Sequence, residues 1–533
     1  MKHARGTGGS SFLATRLIEF GLRHLLLIIG VAAGLIIRIA AMRSGWGAVN
    51  SDEAVGLLMA QSASHGHFYT FFWGQNYGGT FILILEAPLV ALFGLHLVVF
   101  RATDLVLLLI ASLLLRSIAL RFVSSREADM AALFLWLLPP SWVQWSGMEY
   151  VFWTTGIGFV LASVWCTLRW AETDEALWLA GVGVSGGLAL WSYPILMSLL
   201  LPVLVAVVWR LRRRPGAVVG LLLAMAAGLL PVIYSTLARG VFVLGLPLAS
   251  HKTIVHRFGS TIVRVLPAVF LTHTPLANNG AALDLVGLGL LIGVACFTLR
   301  RFLAFRRQRT TATCGSTTAP VGNHRSQPAV VPVDLFFALV GCTILLWPII
   351  LVASRVQGGV GDYRYGFIVI PPLCLIAAHL LNRFRLSLIG VGAAVAVTAV
   401  VASSWTGGFT AYHQSVSYKP IEKVLIREHR THVFASYWIA YTLSFFSGET
   451  ITASAVPVAP GDPLVRDLAF QELAMATPGS TYVVFANFGL DSTLRSYVRS
   501  HHVGTRQVVN GVAVYRFNFR IAPGEIPKLY GAF

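Results

Sequence analysis

Residues Ser44–Gly79 read SGWGAVNSDEAVGLLMAQSASHGHFYTFFWGQNYGG. The segment follows a first apolar run and is too polar to cross a bilayer. It carries an adjacent acidic pair, Asp52-Glu53, two histidines, His65 and His67, and a run of aromatics ending in Gln75-Asn76-Tyr77-Gly78-Gly79. The face of a membrane it occupies sets the parity of every apolar segment after it, so the fold is read outward from here.

Hydrophobic residues make up 56% of the chain and charged residues 12%, with a mean hydropathy of +0.72. Soluble domains carry about 25% charged residues. Runs of roughly 18–22 apolar residues follow one another, the length that spans about 30 Å of hydrocarbon. This excludes an ordinary soluble domain and indicates a polytopic helical membrane protein. A formal charge of +18 would suit a nucleic acid. The Lys and Arg residues, however, cluster between apolar runs, as the positive-inside rule requires. The charge is therefore a topology signal that also favours anionic headgroups, and no nucleic-acid partner is expected. None of the five cysteines falls in the polar C-terminal region, so no disulfide framework is implied there. Lys2, Arg5, Arg16 and Arg23 precede an apolar stretch too long for a signal peptide and without a small-residue cleavage site, which reads as an uncleaved anchor.

The first span covers about His24–Met42, with the basic N-terminus cytoplasmic, and places Asp52-Glu53 outside the plasma (inner) membrane. Arg38, near its outer end, is expected to snorkel to the interface. The next apolar segment, Thr80–Val99, contains Glu86 and Pro88. Counted as a span, it would put Arg116, Arg121 and Arg126 outside and flip every later basic cluster, so it is read as an interfacial or re-entrant helix. The remaining spans cover about Leu97–Leu115, Ala128–Trp145, Val151–Leu168, Leu177–Trp191, Ile195–Trp209, Ala217–Leu237, Ala282–Leu299, Val333–Ala353, Tyr365–Leu381 and Leu388–Trp405. About eleven spans result, and every arginine cluster then lies inside. Lys252, His256, Arg257 and Arg264 fall in an outer segment. Arg300–Pro332, rich in Thr, Arg and Pro, is expected to be a cytoplasmic linker without fixed structure.

Residues 1–405 thus form a polytopic all-α membrane domain, with a first external loop at 43–79. From Thr406 the apolar runs shrink to strand length: His432–Ala435, Ile451–Val456, Tyr482–Ala486 and Val508–Phe517, the last a hairpin through Asn510-Gly511. Helical stretches at Ile421–Arg430, Asp462–Ala476 and Leu490–Ser500 alternate with them. Residues 406–533 read as a small C-terminal α/β domain, placed outside by the odd span count.

Several residues are candidates for chemistry. Asp52 can take a proton from an attacking hydroxyl, and Glu53 beside it can raise its pKa or help hold a divalent metal. The same pair also suits the first turn of a helix, with Asp52 as its cap. Glu149, at an outer junction of two spans, shares the membrane face of Asp52 and can share its site, or be a solvated interfacial carboxylate. Arg257, Arg364 and the flanking Tyr363 and Tyr365 can bind a phosphate, or serve as membrane anchors. Among the loop aromatics, Tyr77 can stack on a sugar or anchor the loop. His65 and His67, two apart, do not share a helix face and lack a third metal ligand. No Walker A, HExxH or CxxC is present.

An uncleaved first span, an external loop opening with Asp-Glu, and a Gly/Tyr stretch leading into an interfacial helix together resemble the GT-C superfamily of integral-membrane glycosyltransferases. The pattern is most similar to the dolichyl-phosphate-mannose-protein-mannosyltransferase-like group, glycosyltransferase family 39. Gly187-Leu-Ala-Leu-Trp-Ser-Tyr-Pro194 resembles the family's Gly-Leu…Pro helix pair. Asp362-Tyr-Arg-Tyr-Gly-Phe-Ile-Val-Ile-Pro-Pro372 is similar to its Arg-Tyr…Pro segment. The resemblance implies an inverting transfer of a sugar from a polyprenyl-phosphate donor to an acceptor hydroxyl on the outer face. In it Asp52 matches the catalytic aspartate, Glu53 its acidic neighbour, and Glu149 the second acidic position. Arg364 lies near the lipid phosphate. Many relatives carry Lys-Pro-Pro or His-Pro-Pro before the interfacial helix, where this chain has Asn76-Tyr77-Gly78-Gly79-Thr80. Two other classes of function compete: a glycolipid transporter or flippase, and a non-catalytic envelope assembly protein that works through its C-terminal domain.

Overall fold

The computed structural model describes residues 25–43, 47–148, 152–239, 253–271, 279–314, 332–353, 360–404, 418–457, 464–526 and 529. The described parts of the expected spans are helical apart from Ala128–Trp145, which breaks at Leu138-Pro139 between the helices Ser125–Leu137 and Pro140–Trp145, and the chain is a multi-pass membrane protein with the helical domain and small C-terminal α/β domain read from its sequence. Seven helices are long and apolar enough to cross a bilayer, and Pro215–Gly228 with Leu230–Ala238 adds a pair bent by 66°. Phe81–Phe93 has 13 residues, about 20 Å of helix, too short to cross. It ends at Gly94 with φ +79, where the chain turns into Leu97–Ala119.

Three membrane-domain readings need correction. Arg38 does not snorkel. It is 1% exposed, stacks over Trp136 at 4.4 Å, and donates to the Trp136 carbonyl at 2.7 Å and Ser146 Oγ at 3.0 Å. The helix Ser125–Leu137 stops before Pro139, and Arg38 satisfies one of its terminal carbonyls. The outer segment around Arg257 and Arg264 is instead part of Ile254–Leu271, a helix of span length with a π turn at Thr261–Val265. Its charges hid it from an apolar-run reading. The basic linker begins later than Arg300, because the helix from Gly280 runs to Cys314.

The C-terminal domain holds a five-stranded sheet in the order β2-β1-β3-β5-β4: β1 His432–Ala435, β2 Thr452–Ala455, β3 Thr481–Phe485, β4 Thr505–Val509 and β5 Val512–Arg516. β1 pairs in parallel with β2 and β3; β5 runs antiparallel to β3 and β4. Asn510 (φ +46) and Gly511 (φ +78) make the two-residue hairpin that their sequence predicts. A helix absent from the sequence reading, Tyr437–Phe446, connects β1 to β2. Its sequence YWIAYTLSFF is aromatic and apolar almost all round, which masks helical periodicity and fits its burial.

Asp491 braces this domain from beneath β5. Its fully buried carboxylate accepts from Arg506 (2.9 Å), Arg495 (2.5 Å), Tyr515 (2.6 Å) and the Asn487 amide (2.8 Å). Burial alone would raise its pKa, but the bonds from Arg506, Tyr515, Asn487 and Arg495 hold it well below the carboxylate range. A depressed carboxylate adds stability above its unfolded pKa of about 3.9 and loses it as pH falls toward the lower folded value. Asp491→Asn is therefore expected to cost on the order of 3 kcal/mol at neutral pH. Thermal unfolding between pH 7 and about 3 should show a shallower acid-side decline in the variant than in the wild type.

The first loop and the C-terminal domain share one hydrophobic core. Ser51–Ser64 is a helix whose residues Ser51–Ala60 are all buried. Leu57, Leu58 and Met59 pack in the same cluster as Ile439, Ala440 and Leu443 of the C-terminal domain and Ile82 and Leu83 of the short apolar helix. Each such side chain contributes roughly 1.5–3 kcal/mol when fully buried. The loop is thus clamped by the domain that lies farthest from it in sequence, and both occupy the same face.

Candidate active site

The clamp is built around Asp52. The helix Ser51–Ser64 is capped by Asn50, whose side chain accepts from the Glu53 amide at 3.0 Å. Asn50, not Asp52, is the N-cap, and this leaves the Asp52 carboxylate to point into a cleft that it lines with Phe72, Gln75, Tyr77, Arg364 and Arg466. Asp52 itself is 9% exposed. One of its oxygens accepts from the Tyr437 hydroxyl and from Arg466 at 3.3 Å; the other lies 3.7 Å from Arg364. Burial, with the Asp52 charge adding to it against the pull of Arg466, keeps the Tyr437 hydroxyl well above the tyrosine range, so it stays a donor.

Each partner arrives from a different part of the fold. Tyr437 follows β1 directly, at the carboxyl end of a parallel strand, where open α/β sheets place ligands. Arg466 lies on the connection from β2 to β3. Its amide donates to the Tyr441 hydroxyl, and Asp467 next to it caps the helix Leu468–Ala476. Its guanidinium, 7% exposed, sits 5.2 Å over Phe72 and donates from Nε to the Tyr437 hydroxyl at 3.1 Å. Gln75, turned so that its amide oxygen faces Arg466, accepts at 2.6 Å. Arg364 stands on the 3-10 turn Val360–Val369, between Trp145 at 5.8 Å and Tyr365 at 5.4 Å.

The two motifs singled out in the sequence meet the loop here. Trp191 Nε1 donates to the Thr70 carbonyl at 2.9 Å, and the Gly79 amide donates to the Ser192 carbonyl at 3.0 Å. A Cβ at Gly79 would lie 2.7 Å from the Trp191 carbonyl oxygen, so only glycine permits this approach. Tyr77 then packs on Tyr193 (5.8 Å) and Phe152 (6.4 Å). Tyr193 stacks on Tyr365 at 6.3 Å and 8°. Trp347 Nε1 fixes the Tyr365 carbonyl at 2.9 Å. The cleft is therefore charged at one end and aromatic along its walls.

No protein-family model and no curated protein matches this sequence. Solved structures do. ArnT from Cupriavidus metallidurans, bound to undecaprenyl phosphate, matches with a TM-score of 0.52 at 15% identity, over 95% of this chain and 99% of that one. The archaeal oligosaccharyltransferase AglB from Archaeoglobus fulgidus, in complex with an inhibitory peptide and a dolichol-phosphate, matches at 12% identity with a TM-score of 0.44, over 96% and 77% of the two chains. The chain has the GT-C fold.

Within this GT-C fold the cleft gathers Asp52, Tyr77, Arg364 and Tyr365 from the residues read in the sequence. Tyr363 supports them, its hydroxyl accepting from Trp145 Nε1 at 2.7 Å. Glu53 faces away from the cleft and forms a bidentate pair with Arg101 (2.8 and 2.8 Å). Arg257 is buried elsewhere and donates to the Val352 carbonyl at 2.8 Å. Glu149 and Lys252 lie outside the described residues. His65 and His67 are exposed, His65 bonded to the Gln61 carbonyl at 2.9 Å. Among the described residues no three metal-ligating side chains come together. Asp52, faced by two guanidiniums and a phenol, has the setting of an anion partner rather than of a divalent-cation ligand. Arg466, Tyr437 and Gln75 are the site residues that sequence reasoning missed.

Proposed function

We propose that this protein is a membrane glycosyltransferase that moves a sugar from a polyprenyl-phosphate donor to an acceptor hydroxyl on the extracytoplasmic face of the plasma membrane. The observation that carries the reading is the cleft itself: one carboxylate and two guanidiniums, set among aromatic walls, directly beside membrane-spanning helices. ArnT from Cupriavidus metallidurans, which shares the fold, was solved with undecaprenyl phosphate.

In this reaction the acceptor oxygen attacks the anomeric carbon from the face opposite the phosphate, inverting it. The bond from that carbon to the phosphate oxygen breaks, its electron pair leaves with the polyprenyl phosphate, and the acceptor proton passes to Asp52. Arg364 stabilises the charge that develops on the departing phosphate. Trp145, Tyr365 and Tyr77 offer faces on which a sugar ring can lie, and they exclude water, which would otherwise compete as acceptor.

The test is covalent transfer of a labelled sugar from a polyprenyl-phosphate donor by the full chain in nanodiscs, with cell-envelope glycans compared with and without the gene to find the acceptor. Movement of the labelled lipid between leaflets with no covalent product would replace this reading by the flippase one.

A further inference from the structure

We propose that Arg466, supplied by the C-terminal domain, is a donor-phosphate ligand, so that this domain completes the donor site instead of merely covering it. The assignment rests on the glycosyl-transfer reading above and adds to it a residue and a domain.

Arg466 is held as a presented group. Its amide is bonded by Tyr441, its neighbour Asp467 caps the following helix, and its side chain is laid across Phe72. Such anchoring removes most of the rotamer entropy that a long side chain loses on binding. The planar fork is thereby aimed at cleft residues, Asp52 and Gln75. A guanidinium fork matches the oxygens of a phosphate as well as those of a carboxylate.

Burial decides which arginine contributes more. Arg364 is 34% exposed in its side chain and Arg466 is 7%. A charge-assisted bond gains strength as water is excluded, so Arg466 supplies the larger share of phosphate affinity. Its place also fits the sequence. The first loop offers no cation between Gln75 and Thr80, yet the guanidinium of Arg466 lies against Gln75 from the other side of the cleft. A phosphate that draws Arg466 toward itself loosens its hold on Asp52 and leaves that carboxylate an oxygen for the acceptor proton. Donor binding thus prepares the base.

A purely structural Arg466, stapling domain to loop, makes a different prediction for ligand selectivity. The full chain in nanodiscs is titrated with farnesyl phosphate and, on the same preparation, with farnesol, which has the same tail and no charge. The ratio of the two affinities is independent of the fraction folded. The wild type should prefer the phosphate, and Arg466→Gln should shrink that preference about 10- to 100-fold. Arg466→Lys, which keeps a charge without the fork, should retain part of it. If Arg466→Gln keeps the wild-type ratio while Arg364→Gln collapses it, Arg466 is only a staple and the donor reading stands. If the wild type shows no preference for the phosphate, the donor reading fails and this assignment falls with it.

Discussion

Asp52→Asn should lower the rate of sugar transfer about 100- to 10,000-fold, the range a positioned general base contributes, while leaving affinity for the polyprenyl-phosphate donor unchanged or improved. The two effects separate because Asp52 has two relations in the cleft. In the proposed reaction it is the proton sink for the acceptor; toward Arg364 and Arg466 it is the anion that both guanidiniums face. The amide keeps the shape and still accepts from Tyr437, but it cannot take a proton at neutral pH. It also releases both guanidiniums from a competing carboxylate. Single-turnover transfer and farnesyl phosphate binding, measured on the same preparation, test the split. Full activity in the variant would remove Asp52 from the chemistry. Equal losses in rate and binding would make it a structural residue instead. Asp52→Glu, one methylene longer, should also be slow, because a misplacement of about 1 Å at the reacting centre costs on the order of 100-fold.

Asp52 was legible because its signals are local: a polar loop after an anchor, an acidic pair, and a Gly/Tyr exit toward an apolar helix. The arginine clusters set a parity in the sequence, but that reading left out Ile254–Leu271, a helix of span length whose own charges concealed it. Arg466 and Tyr437 were not. They reach Asp52 across 414 and 385 residues, and nothing in Leu464-Val465-Arg466-Asp467 marks that arginine apart from any other before a capping aspartate. Tyr437 sits on a helix whose aromatic composition concealed its period. The structure supplies what local patterns cannot, namely that the burial of Ser51–Ser64 is achieved by a distant domain. Polar residues on that buried helix must then find partners on the domain that buries it. Ser51 does so at the Tyr437 carbonyl, and Asp52 at the Tyr437 hydroxyl and Arg466. A similar logic corrects Arg38 and Arg257: each lies close to a membrane interface in sequence, yet packing turns each inward to a carbonyl.

Glu53→Gln should destabilise the protein by on the order of 3–5 kcal/mol, the cost of leaving a buried partner charge uncompensated. Glu53 is fully buried, and the Arg101 side chain paired with it is 5% exposed. The pair ties the first turn of Ser51–Ser64 to the second turn of Leu97–Ala119. Glu53 is thus the neighbour that fixes where Asp52 stands, in an arrangement where small displacements are costly to rate. Breaking either member should therefore lower the unfolding temperature and, through position, the activity. The double variant Glu53→Leu/Arg101→Met separates this from chemistry. Apolar side chains of similar volume can replace a buried ion pair at little cost, so the double variant should recover most of the stability that either single change loses. If Glu53 acts only by holding the helix, transfer per folded molecule should recover along with stability. A double variant that is stable yet inactive would show that the Glu53 carboxylate takes part in the reaction itself.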